Sequence, residues 1–339
     1  LQRVKLSFAK GLEIEFIDRE RAIKQVYEIG EKGTRYPVIV YGPGGCGKTA
    51  WLKQATLILR ELGYETLYVN PLHKEIISHV DVKEIIQRFI DTITEATGLV
   101  EFKLATLVTL TVRDLLTKWR KRRIAILVDD VFQAIGLNKA ELYVKELLGL
   151  IEYPPESYES IVVIVTTSEG ITRTKIGRHR WAWLRAMWNM SREGFKELYE
   201  KLPGLKPIFE DIWRFTSGNP DILSQFYQYN WDVESVIKNI IKSKKLYSFI
   251  HSLSNEEKEW LIRAVEDPDT LFTREKISLL NKLVELNLVV DDITLRDHFL
   301  WIDIPPLERD LELGIGKYVA WQTPLHREAV KRTFTTLKP

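Results

Sequence analysis

This 339-residue chain has little of what would tie it to an oxidising compartment or a bilayer. It has one cysteine, Cys46, so no internal disulfide can form and a disulfide-stapled scaffold is excluded. No apolar run reaches the roughly 18 to 20 residues of a membrane-spanning helix, and Leu1–Lys10 lacks the layout of a signal peptide. The expected location is cytoplasmic, with no membrane partner. Neither sign of charge prevails: 49 Lys and Arg against 47 Asp and Glu leave a net charge of +2, so bulk electrostatics neither invite nor exclude nucleic acid. The six histidines show no metal-ligand spacing. There is no internal repeat and no low-complexity tract, and the length suits two or three domains with cores of their own.

What is present begins with Gly42-Pro43-Gly44-Gly45-Cys46-Gly47-Lys48-Thr49, which matches the phosphate-binding pattern G-x-x-x-x-G-K-[ST]. The apolar, β-branched run Pro37–Tyr41 before it reads as a buried strand and Thr49–Leu62 after it as a helix, the context that the pattern requires. In such a loop the backbone N–H groups of Gly45 to Thr49 face phosphates, and the helix N-terminus adds partial positive charge. Lys48 reaches the β/γ oxygens and the Thr49 hydroxyl suits a Mg²⁺ ligand, so ATP or ADP with Mg²⁺ is the expected ligand. Ala50 completes the expected contact set. Cys46, inside the loop, reads as the filler of a variable position rather than a redox sensor.

Further apolar runs follow at Glu65–Val69, Ile124–Val128 and Ser160–Thr166, separated by a turn at Pro71 and by helical periodicity over 82–97 and 104–120. Strands apolar on both faces, alternating with helices, describe an α/β domain built on a parallel sheet. Asp129-Asp130 closes the third strand at the end that faces the ligand crevice in open parallel sheets. Asp129 is the expected Mg²⁺ ligand and Asp130 the candidate base that orients an attacking water. Thr166-Thr167-Ser168 closes the fourth strand at the same edge, where the Thr166 hydroxyl is a candidate γ-phosphate sensor.

From Ser191 to Lys242 the pattern is helical, interrupted at Pro203, Pro207 and Gly218-Asn219-Pro220, as expected of a helical lid. Ser254 and Glu257 form a capping-box pattern for a helix to about Glu266, and Thr273–Leu286 predicts another helix. Leu288–Val290, Asp291-Asp292 and Ile293–Leu295 read as a hairpin, which with these helices suggests a C-terminal winged helix. The expected domains are 1–180 (phosphate-loop ATPase), 181–245 (lid) and 246–339 (winged helix).

Four motifs together resemble the archaeal ATPase family within the STAND branch (signal-transduction ATPases with numerous domains) of AAA+-related P-loop proteins. They are Phe16-Ile17-Asp18-Arg19-Glu20, the phosphate loop, Val128-Asp129-Asp130 and Gly218-Asn219-Pro220. The resemblance implies that the Phe16–Arg19 segment frames the adenine side and that Pro220 packs on the nucleotide. The chain departs from the family pattern at Asp130, where glutamate is usual and reaches about 1.5 Å further, which points to slow hydrolysis. It departs again at Ala22, where glutamate is common, and at Ser168, where related proteins have arginine. Arg178, in Ile176-Gly177-Arg178, matches a Gly-Arg of the family and is the candidate catalytic arginine, with Arg173 second.

The basic run Lys118–Arg123 reads as a helix C-terminal cap, with nucleic acid as the alternative. Trp181, Trp183 and Trp188 read as packing residues rather than base-stacking ones. On the predicted helix 273–286, Arg274, Lys276, Asn281 and Lys282 could meet DNA, or the segment could pack within the molecule. The resemblance therefore implies an ATP-dependent conformational switch with a protein partner. The alternative is a DNA-associated ATPase with the layout of origin-recognition initiators.

Overall fold

The computed structural model describes residues 2–73, 75–78, 122–135, 137–154, 156–168 and 180–337, with the single positions 110, 114, 117, 176 and 177. The helical periodicity over 82–97 and nearly all of that over 104–120 lie outside the described residues. The chain divides into two compact units, Leu1–Val4 with Glu20–Tyr41 and Lys48–Ala186, and Lys5–Arg19 with Gly42–Gly47 and Met187–Pro339.

The first unit is built on a sheet of β3 (Val38–Tyr41), β4 (Glu65–Asn70), β5 (Glu75–Ser78), β6 (Arg123–Asp129), β7 (Ser160–Thr166) and β8 (Trp183–Met187), in the order β8-β3-β7-β6-β4-β5. All neighbours are parallel except β4 and β5. Its helices are α1 (Glu20–Lys32), α2 (Lys48–Glu61), α3 (Val131–Ile135) and α4 (Leu137–Glu152). Alternation explains why whole strands are apolar. Ile124, Ile126 and Val128 of β6 join Val144 and Leu147 of α4 in one core cluster, while Ala125 and Leu127, equally buried, face the other way. There α2 packs against β4, β6 and β7 with Trp51, Leu52, Ala55, Ile58 and Leu59 wholly buried. Each large aliphatic side chain so buried contributes about 1.5–3 kcal/mol.

The second unit opens with an antiparallel hairpin, β1 (Lys5–Ala9) and β2 (Leu12–Glu15). It continues through α5 (Arg192–Glu200), α6 (Phe209–Thr216), α7 (Pro220–Gln228), α8 (Val233–Ser243), α9 (Leu246–Ser252), α10 (Asn255–Glu266) and α11 (Ile277–Glu285). The chain then forms β9 (Val289–Asp291), β10 (Trp301–Ile302), β11 (Val319–Trp321) and α12 (Pro324–Leu337). The capping box of α10 is present in full, with Ser254 and Glu257 satisfying each other's backbone donors. The breaks at Pro203, Pro207 and Gly218-Asn219-Pro220 fall between α5, α6 and α7. One hydrophobic core runs from Phe195 and Phe226 through Ile240 to Leu283, Trp321 and Val330, and α12 packs against α6, α8, α9 and α10.

Two sequence expectations differ from the structure. The predicted hairpin 288–290/293–295 does not form: Asp292 takes a left-handed conformation (φ 55°), and β9 pairs instead with β11. Val289 lies opposite Trp321, so the chain leaves the sheet at 292 and returns at 319. The helix expected from Thr273 begins as a short 3₁₀ turn, Arg274–Lys276, and becomes α-helical only at Ile277. Trp183–Met187, where the sequence alternates as a strand does, is a parallel strand beside β3.

Candidate nucleotide-binding site

In the first unit the chemistry gathers where the parallel strands end. Asp129, last in β6, lies opposite Thr166, last in β7. Its carboxylate is 1% exposed and accepts three hydrogen bonds: from the Thr166 hydroxyl on Oδ1, and on Oδ2 from Tyr68 Oη at 3.1 Å and Asn70 Nδ2 at 3.0 Å. A buried anion needs such partners, because unpaired it would lose its hydration with nothing in return. Burial, and then the nearby Asp129 charge, pushes the Tyr68 phenol well above its usual range. Tyr68 and Asn70 alternate with the apolar residues of β4 and stand in no motif, so nothing local marks them as site residues.

Asp130 follows in the left-handed region (φ 47°), its N–H donating to the Thr166 carbonyl at 3.1 Å and its Oδ1 accepting from Ser168 Oγ at 3.1 Å. Burial, and then the charge of Asp129, raises its carboxyl above the ordinary carboxylate range, while Lys48 and Ser168 pull the other way. Lys48 opens α2 and is buried, with Thr49 and Ala50 next to it in the first turn.

These residues fit a magnesium ion. The donors are oxygens only, an oriented carboxylate on a strand end and a hydroxyl in a helix's first turn, as suits a hard cation that takes few protein ligands and keeps phosphate and water oxygens. Asp129 and Thr49 would hold it.

In the second unit the loop Gly42–Gly47 is gripped by its carbonyls. Asn219 Nδ2 donates to the Gly44 carbonyl at 2.9 Å, and Arg19 Nη2 to the Cys46 carbonyl at 2.5 Å. No peptide bond among the described residues is cis. In a trans peptide the carbonyl and the following N–H point in opposite directions, so the N–H groups of Gly45 and Gly47 turn away from the side chains that hold the loop. Gly45 has φ 73°, and a β-carbon there would lie 2.3 Å from Asp221 Cβ, so glycine is required twice over.

Arg19 is buried, ion-paired with Asp303 at 2.8 Å, and also donates to the Trp188 carbonyl at 3.1 Å. Phe16 is buried beside it in sequence. Asn219 caps α7 through Oδ1, which accepts from the Ile222 N–H at 3.1 Å, and Pro220 occupies the first turn. Pro220 Cγ lies 3.9 Å from where a Gly47 β-carbon would stand. Cys46 is fully buried, its thiol 3.7 Å from the Met187 carbonyl, as suits packing. Asn219, Asp303 and Gln322, whose Oε1 accepts from the Gly44 N–H at 3.0 Å, carried no sequence signal as loop-holding residues.

Arg178 and Arg173 lie outside the described residues, as do Lys118–Lys121 of the basic run. Of the remainder, Arg123 stacks on Tyr64 at 4.6 Å and donates to the Leu62 carbonyl at 2.7 Å, and Arg122 donates to the Ser157 carbonyl. Trp181 packs against the first unit's core and Trp188 is buried, while Trp183 is half-exposed against Tyr36.

A parallel sheet with a phosphate-loop sequence before α2 and an acid-tipped strand, β6, one strand removed from β3, defines a P-loop nucleoside triphosphatase. More narrowly, residues 16–226 match the ATPase domain found predominantly in Archaea, and the chain belongs to that family. No curated protein is similar enough to count as a relative. Among solved structures the chain is similar to AMPPCP-bound DnaA from Aquifex aeolicus, with 16% identity, a TM-score of 0.39, and 79% of this chain and 78% of that one covered. It is similar also to the Aeropyrum pernix ORC1 protein in complex with DNA, with 15% identity, a TM-score of 0.38, and 95% and 93% covered. A variant of Thermotoga maritima RuvB is matched with 15% identity, a TM-score of 0.39, and 80% and 85% covered. No helix among the described residues is long and apolar enough to cross a membrane.

Proposed function

We propose that this chain binds ATP on Gly42–Thr49 and hydrolyses it slowly. The observation that carries the reading is the outward grip on the Gly44 and Cys46 carbonyls, which leaves the N–H groups of Gly45 and Gly47 for phosphate. Lys48 meets the β/γ oxygens. Asp129 and Thr49 hold Mg²⁺, which when bound neutralises phosphate charge. Thr166 serves by orienting Asp129. Asp130, raised by burial and held by Ser168, accepts the proton of the attacking water. Arg19 works on the nucleotide through the Cys46 carbonyl, Pro220 lines the site beside Gly47, and Arg178 meets developing charge on the transferred phosphoryl group.

Two uses of the cycle are proposed. The likeness to DnaA, and to an ORC1 protein in complex with DNA, favours a DNA-associated ATPase. On this reading Arg274 and Asn281, both exposed, meet DNA, whereas Lys282 is paired with Glu257 at 2.6 Å and Lys276 with the Thr270 carbonyl at 2.8 Å. The second use is a STAND-type switch with a protein partner, in which the C-terminal segment acts as the winged helix. It is supported by the ties of Asp303 and Gln322 to Arg19 and the phosphate loop.

One set of measurements tests the whole. Lys48→Ala should lose most ATP affinity by calorimetry, and tight binding by this variant would place the nucleotide elsewhere. In the parent protein, phosphate release should rise on adding DNA, by more at low salt than at high salt. ATPase activity indifferent to DNA at both salt concentrations would leave the switch.

A further inference from the structure

Gly44 is held on both of its polar groups, and one holder comes from 278 positions along the chain. Its N–H donates to Gln322 Oε1 at 3.0 Å, while its carbonyl accepts from Asn219 Nδ2 at 2.9 Å. Gln322 is 3% exposed and is itself fixed: its N–H donates to the Leu288 carbonyl at 3.0 Å, and its own carbonyl accepts from Asn189 Nδ2 at 3.0 Å. Asn189 Oδ1 in turn accepts from Asn219 Nδ2 at 2.9 Å. The circuit closes from Gly44 through Gln322, Asn189 and Asn219 back to Gly44. Buried amides satisfied in this way have little freedom, since each departure strands a donor or an acceptor away from water.

The chemistry at the contact is specific. A backbone N–H needs an acceptor, so Gln322 must present its oxygen there. Glutamate would also accept from that N–H, and its carboxylate would bond it more strongly. Glutamine differs from glutamate in its Nε2 donor and in its neutrality, and the neutrality is what bears on a loop that has to admit the negative charge of a nucleotide. A buried charge interacts strongly in a medium of low dielectric constant, so a carboxylate here would act on a triphosphate more than on a diphosphate.

We propose that Gln322 is a positioning residue of the nucleotide site. It fixes the Gly44 peptide so that the following N–H groups converge on phosphate, and it does so with an uncharged acceptor so that a triphosphate is tolerated. The inference rests on the nucleotide reading given above.

Gln322→Glu and Gln322→Leu separate the two parts of the proposal. ATP and ADP affinities are measured by calorimetry, beside thermal unfolding of each variant. Gln322→Glu keeps the acceptor but buries a charge, so it should unfold below the parent temperature and, at a pH where the carboxyl is ionised, bind ATP on the order of tenfold more weakly with ADP less affected, so that the ATP-to-ADP affinity ratio falls. Gln322→Leu removes the acceptor without adding charge, and should weaken both nucleotides severalfold at an unchanged ratio. A purely structural role would move stability and leave the ratio alone. Parental affinities for both nucleotides in both variants, with Lys48→Ala still defective, would overturn the positioning role while leaving the site in place. Parental affinity in Lys48→Ala as well would overturn the site itself. Should Gln322→Glu fail to fold, parental affinities in Gln322→Leu would be enough to reject the proposal.

Discussion

Asp129 and Asp130 are neighbours with different surroundings, and the difference supports the separate roles proposed for them. Three donors converge on Asp129, which fixes the carboxylate as an oriented anion. Asparagine there would put an NH₂ against groups that are themselves donors, losing charge-assisted bonds of about 1.5–3 kcal/mol each. Asp129→Asn should therefore weaken Mg²⁺-dependent ATP binding and also lower stability. Asp130→Asn should leave ATP affinity near the parent and depress kcat, as follows from the proposed role of its carboxyl as a proton acceptor. Titration calorimetry with and without Mg²⁺, beside steady-state phosphate release, distinguishes the two; an equal loss of affinity in both would make Asp130 a metal ligand. The raised Asp130 pKa adds a pH signature, in which turnover falls on acidification at a pH above the usual carboxylate range. The left-handed backbone at 130 suits aspartate, because short Asp and Asn side chains tolerate that conformation better than longer ones.

At the scale of elements, the turn before α7 bears most directly on the loop, because Asn219 both caps that helix and holds Gly44. Gly218 sets the turn: its φ is 79°, and a β-carbon would stand 2.3 Å from the Met190 carbonyl oxygen, whose own N–H donates to the Gly218 carbonyl at 2.9 Å. Gly218→Ala should cost more than about 1 kcal/mol in denaturant unfolding and weaken nucleotide binding through the displaced Asn219. Full stability with parental affinity would show that the turn tolerates strain. The elements legible in the sequence were those written in contiguous residues. They are the doubly buried strands β6 and β7, the break at Gly218–Pro220, and the capping box at Ser254 and Glu257. The illegible ones depend on distant partners. β9 is three residues long and pairs with a strand that begins at Val319, so periodicity favoured the nearer and wrong mate. The same holds within the candidate site. Asp129, Thr166, Lys48 and the loop stand in motifs, whereas Tyr68, Asn70, Asp303 and Gln322 act only through tertiary contacts and resemble ordinary polar residues in the sequence.

For the whole molecule, one residue that links pH to stability is His326 in α12, the helix that packs against α6, α8, α9 and α10. Its Nδ1 lies 2.8 Å from the Thr323 hydroxyl, and burial, followed by the charge of Lys244, pushes its pKa down to about 3. In the unfolded chain the same imidazole titrates near its ordinary value, about 6.5. Between those two values the unfolded chain carries the extra proton, so stability increases with pH across the window. The contribution is fully present above about pH 6.5 and is lost progressively as pH falls towards the folded-state value, at up to about 1.4 kcal/mol per unit. Asp130, raised rather than lowered, contributes with the opposite sign, so the comparison has to isolate the histidine. His326→Gln cannot titrate. The parent should lose more of its unfolding temperature than this variant when both are taken from about pH 7.5 to about pH 5.5. Parallel curves for the two proteins would mean that His326 binds its proton equally in the folded and unfolded states, and that the packing of α12 admits a charge that its burial argues against.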